Sequence, residues 1–112
     1  MKRRIALAVS MLAVVGVTAA VALAATPVAG TVGPGFTITT AKKTLKAGKY
    51  TFTIRDRSSF HNYRLRGPGL NRALTTVSFV GTKRVTVALR RGVYTFLCDP
   101  HASSMRGTLR VT

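Results

Sequence analysis

Eight consecutive residues near the C-terminus, Cys98-Asp99-Pro100-His101-Ala102-Ser103-Ser104-Met105, bring a thiol, an imidazole and a thioether together. Cys98 is the single cysteine of the chain, and His101 and His61 are its only histidines. Two imidazoles and a thiolate are strong donors for a transition metal, and a methionine sulfur is a weak axial fourth. That set suits copper passing between two oxidation states with little rearrangement. Structural zinc favours four strong nitrogen or sulfur ligands, and only three are present. The same scarcity of histidines excludes multicopper oxidase chemistry, so no enzyme is expected. Asp99 is expected to stabilise the loop as a hydrogen-bond acceptor, paired with an arginine such as Arg106, and not to act as a general acid or base.

The segments around these residues must hold them in place. Apolar and polar residues alternate with period two through Phe36 and Ile38; Tyr50, Phe52 and Ile54; Tyr63 and Leu65; Val77 and Phe79; Val85, Val87 and Leu89; Tyr94, Phe96 and Cys98; and Leu109 and Val111. Such runs are half-buried strands. Turn signals separate them at Ala47-Gly48, Gly67-Pro68-Gly69, Gly81-Thr82 and Arg91-Gly92. Residues 70–74 could form one helical turn. The expected fold is all-β: a Greek-key β-sandwich of about seven to eight strands. On this pattern Cys98 points inward with Tyr94 and Phe96, Pro100 ends the strand and stiffens the turn, and His61 opens a distant strand. Leu45-Lys46-Ala47-Gly48-Lys49-Tyr50 is echoed by Leu89-Arg90-Arg91-Gly92-Val93-Tyr94. Each copy predicts a tyrosine corner, with the hydroxyl bonded back to nearby backbone.

Composition bounds the setting. Lys2, Arg3 and Arg4 precede a 21-residue run without charge, residues 5–25, that ends in small residues. This reads as a secretory signal peptide, with an uncleaved membrane anchor as the alternative. Residues 26–35, rich in Pro, Gly and Ala, read as a linker, and residues 36–112 as one domain. The chain carries 18 Lys and Arg against two acids, Asp56 and Asp99, for a formal charge of +16. Without its first three cations the charge is +13. The cations are spread singly along strands, which together with export argues against nucleic acid. Acidic proteins or an anionic envelope surface are the expected partners of a monomer. A lone thiol in an oxidising compartment needs protection, by burial or by a metal.

These residues carry a family resemblance. The chain resembles the plastocyanin/azurin-type cupredoxins, the small bacterial plastocyanin-like proteins in particular. The motifs are Phe60-His61-Asn62 and Gly92-Val93-Tyr94-Thr95-Phe96-Leu97-Cys98-Asp99-Pro100-His101, followed by Met105-Arg106-Gly107. The resemblance implies one copper ion bound by His61, Cys98, His101 and Met105. It also implies that Asn62 ties the two ligand segments together and that its N–H reaches the thiolate. Three residues separate His101 from Met105, fewer than in plastocyanin and more than in amicyanin. The acidic docking patches of plant plastocyanins have no counterpart in this composition. The expected function is a periplasmic, extracellular or envelope-attached one-electron carrier. Electrons would leave by His101, within an apolar rim of Gly67-Pro68-Gly69-Leu70 and Pro100-His101-Ala102. The alternative is an envelope copper chaperone or buffer.

Overall fold

The computed structural model describes residue 6, residues 8–16 and residues 24–112. The expected signal peptide falls partly outside this set, its basic start included. Among the described residues no helix is long and apolar enough to cross a membrane. Among the described residues, nine strands form two mixed sheets. One has the order β2-β1-β4-β7, from β1 (Thr26–Val32), β2 (Ile38–Thr40), β4 (Gly48–Asp56) and β7 (Gly81–Leu89). The other has the order β3-β9-β8-β5-β6, from β3 (Thr44–Leu45), β5 (Arg64–Gly67), β6 (Leu70–Ala73), β8 (Gly92–Leu97) and β9 (Arg106–Val111). The chain crosses between sheets at β2–β3, β3–β4, β4–β5, β6–β7 and β7–β8, which gives the expected all-β Greek-key sandwich.

Alternation along each strand fills the space between the sheets. Tyr50, Phe52 and Ile54 of β4, Val85, Val87 and Leu89 of β7, Tyr94 and Phe96 of β8, and Leu109 and Val111 of β9 are all buried. Burying side chains of this kind stabilises by roughly 1.5–3 kcal/mol each. Both tyrosine corners are present. Tyr50 donates to the Lys46 carbonyl at 2.6 Å. Tyr94 accepts from the Arg90 N–H at 2.9 Å and donates to the Pro68 carbonyl at 2.6 Å.

Three expectations need correction. Residues 26–35 are not a linker, because Thr26–Val32 is β1 and lies between β2 and β4. Its alternation is carried by small residues, with Val28 and Val32 buried, so composition masked it. Pro27 is tolerated because β2 pairs only with residues 30–32, and the side of β1 facing β2 is unpaired at Pro27. Residues 70–73 form strand β6, which returns along β5 from the Gly67–Leu70 turn; no helical turn forms. The Val77 and Phe79 segment is a turn, with the Phe79 N–H bonded to the Thr76 carbonyl at 3.1 Å, and Val77 is exposed.

Candidate metal centre

Strand β8 ends at Leu97, and Cys98 continues it in extended conformation (φ −98°, ψ 123°). Pro100, whose fixed φ suits the first turn of a helix, then sits in a single 3₁₀ turn, Asp99–His101. Backbone hydrogen bonds close the loop. His101 N–H donates to the Cys98 carbonyl at 3.1 Å and Met105 N–H to the His101 carbonyl at 2.8 Å. Cys98 N–H in turn donates to the Met105 carbonyl at 3.0 Å. The three residues between His101 and Met105 are thus spanned by one tight turn that sets Met105 beside Cys98 just before β9. Met105 is 1% exposed and belongs to the buried core.

His61 arrives on the connection from β4 to β5, which is pinned on both sides. Tyr63 N–H donates to the Thr75 hydroxyl at 2.9 Å, and the Tyr63 carbonyl accepts from Leu74 N–H at 2.7 Å. The Tyr63 hydroxyl, whose pKa burial pushes upward, bonds to Thr40 of β2. Its ring stacks on Phe96 at 5.9 Å between centroids.

Three donor atoms from these two segments converge. His61 Nδ1 and His101 Nδ1 are 3.1 Å apart. Cys98 Sγ lies 3.6 Å from the first and 3.7 Å from the second. A circle through the three atoms has a radius of about 2 Å, close to the length of metal–imidazole bonds and slightly short of metal–thiolate bonds. This geometric fit is that of one small ion held in a His₂Cys plane. Cys98 and His61 are buried and His101 is partly exposed. The lone thiol is therefore buried, and it faces two imidazoles that could share a metal ion with it.

Asn62 and Asp99 link the two ligand segments. Asn62 Nδ2 donates to Asp99 Oδ2 at 2.8 Å, and Asp99 N–H donates to Asn62 Oδ1 at 2.7 Å. The Asn62 N–H points at Cys98 Sγ at 3.5 Å, a contact that lowers electron density on a thiolate. Asp99 is held by Arg64, not by Arg106: Arg64 Nε and Nη2 donate to its two oxygens at 2.7 and 3.1 Å. Arg64 Nη1 also reaches Asn71 Oδ1 at 3.1 Å. The Arg64 hydrogen bonds hold the Asp99 carboxyl below the usual carboxylate range, against partial burial. Arg64 directly follows Tyr63 on β5, so a strand cation locks the ligand loop from outside.

The rim differs from expectation. Register places Arg66 opposite Thr95, so the Gly67–Leu70 turn lies at the far end of β8 from Cys98. The apolar surface at the site is Phe36, Phe60, Pro34 and Pro100, which with Ser58, His61 and His101 line a cleft of about 490 Å³. Phe36 is 69% exposed and Phe60 75% exposed. The Phe36 ring meets His61 edge-on at 5.2 Å and His101 at 5.0 Å. Gly33, at φ +67°, lets this loop approach: a Cβ there would lie 2.8 Å from Ser58 Cβ and 3.5 Å from His61 Cδ2. The alternation of Phe36 with Ile38 predicts a half-buried strand, but β2 begins only at Ile38 and Phe36 lies exposed over the histidines.

A sandwich with a His₂Cys triangle at one end defines the cupredoxin class. A sequence model of copper binding proteins, the plastocyanin/azurin family, matches residues 24–112, and the chain belongs to that family. Its metal is copper. Among solved structures, reduced rusticyanin aligns at 20% identity over 77% of this chain and 76% of that one, with a TM-score of 0.58. Auracyanin A, a blue copper protein of Chloroflexus aurantiacus, aligns at 19% identity over 80% of this chain and 100% of that one, also at 0.58. A reduced variant of amicyanin aligns at 19% identity over 80% and 86%, at 0.52. At these identities the likeness is one of fold. No match was found among curated protein sequences.

Proposed function

We propose that the chain is an exported type 1 copper protein that carries one electron at a time. The observation that carries this reading is the convergence of Cys98 Sγ and the two histidine Nδ1 atoms on one circle. Copper supplies the one-electron couple. The chain supplies rigidity: Cys98 at a strand end, His101 on a closed 3₁₀ turn, and His61 on a connection pinned at Tyr63. A site that barely moves on oxidation suits rapid transfer. Met105, buried in the core and bonded through its backbone to Cys98, would supply a weak fourth donor to the copper. His101 is the partly exposed ligand, and the apolar surface of Phe36, Phe60 and Pro100 around it lets a redox partner approach closely. Arg57 and Arg106, exposed at this end of the sandwich, favour an acidic partner. Cu(II) added to the purified protein tests the reading. An intense visible band from thiolate-to-copper charge transfer supports it; weak colour with freely exchanging copper supports a chaperone or buffer instead.

A further inference from the structure

We propose that the end of the sandwich opposite the copper site is a docking surface for the anionic lipids of a bilayer. Three observations bear on it. The first is topological. β1 runs parallel to β4, with Thr26 opposite Tyr50 and Val32 opposite Asp56. Gly48 pairs with Leu89 at the same end as Thr26, and Gly81 pairs with Asp56 at the other. The uncharged run of residues 5–25 therefore joins the domain at the end formed by the Lys46-Ala47 and Arg90-Arg91 turns. Because β1 is part of the sheet and not a linker, no slack separates that run from this face.

The second observation is the placement of charge. Lys46, Lys49, Arg90, Arg91 and Arg110 are all exposed at or next to this end. Both side-chain acids lie at the opposite end: Asp56 closes β4 and Asp99 follows Cys98. No acidic side chain of the described residues offsets these five cations, whereas at the copper end Asp56 and Asp99 partly offset Arg55, Arg57, Arg64, Lys83 and Arg106. The third observation is an exposed apolar element among them. Val93 is 54% exposed and, with Arg91 and Arg110, lines a shallow cleft. Cations around an exposed valine match a surface of phosphate headgroups with acyl chains beneath.

Nine residues of β4 span roughly 30 Å at strand rise. That exceeds a Debye length of about 8 Å several-fold. Docking by this end holds the His101 rim well clear of the headgroups and free for a redox partner. The proposal rests on the export reading but not on copper, so it can fail alone.

The full chain is titrated with vesicles of pure phosphatidylcholine and vesicles containing phosphatidylglycerol. The apolar run is common to every sample, so the ratio of the two partition coefficients isolates the charge contribution. Lys46→Gln, Arg91→Gln and Arg110→Gln combined should lower that ratio about a hundredfold, from roughly fivefold per charge. The matched triple Arg55→Gln, Arg72→Gln and Arg84→Gln removes the same charge from exposed positions elsewhere, and should lower the ratio less than about threefold. All six positions are exposed, and an unchanged thermal midpoint checks the fold. Losses within about tenfold of each other, or no loss in either triple, overturn the assignment.

Discussion

Single residues carry the finest part of the site. Asn62 makes two short hydrogen bonds to Asp99 and presents its N–H to the thiolate. Asn62→Ala removes both side-chain bonds and leaves a charged acceptor partly unpaired, which costs roughly 2–3 kcal/mol. Chemical denaturation should show that loss, and the visible band should shift as the ligand segments loosen; an unchanged midpoint would show that Arg64 alone secures Asp99. Asp56 is a different case. It is 1% exposed, accepts from Ser58 N–H at 3.2 Å, and its Oδ2 has no partner among the described residues. Burial pushes its pKa above the ordinary value. A folded-state pKa above the unfolded one contributes stability that is full below the unfolded value and lost as pH rises through the folded value. Asp56→Asn removes that loss, so its stability relative to wild type should rise between about pH 3 and pH 7. Unfolding curves at the two pH values check the sign.

At the scale of elements, β8 and β9 hold the loop that carries Cys98, His101 and Met105. Phe96 pairs with Gly107, and a Cβ at residue 107 would lie 2.2 Å from the Phe96 ring. The ring lies over the glycine and stacks on Tyr63, which joins the two ligand segments through one aromatic pair. Gly107→Ala should cost about 1–3 kcal/mol by overpacking and should perturb the copper spectrum as well as the thermal midpoint. A spectrum that stays constant while the midpoint falls would separate the stack from the site. Much of this was legible in the sequence. Strict alternation gave β4, β7, β8 and β9, and it aimed Cys98 inward. The echoed Leu-x-x-Gly-x-Tyr pattern gave both tyrosine corners. β1 escaped because its buried positions are Val28, Gly30 and Val32, set among Pro, Ala and Thr, which read as linker until the rest of the sandwich covers them. The Asp99 partner escaped because Arg64 is 35 residues away in sequence and only the β5–β8 register brings it close. The rim escaped because nothing local indicates that residues 33–36 fold over the histidines.

The whole molecule is polarised. One end carries the ligand triangle, both acids and an exposed apolar surface; the other carries the cationic turns and the start of β1. A net charge of this size steers acidic partners over distances set by the Debye length. The bimolecular rate of electron transfer to an acidic acceptor should therefore fall as salt rises from about 10 to 200 mM, since the screening length shortens from about 30 Å to under 8 Å. Stopped-flow kinetics against salt measures this, and a flat profile would remove steering from the account.

Cys98, His61 and His101 stand together as the donors of a type 1 copper site. Titrating the purified protein with Cu(II) while recording visible and EPR spectra tests it most directly. An intense blue band that saturates at one copper per chain is expected, together with the narrow copper hyperfine splitting of a thiolate-bound site. Cys98→Ser should abolish both while the fold remains. A colourless, weakly bound Cu(II) in protein whose Cys98 is still reduced would rule out a type 1 site.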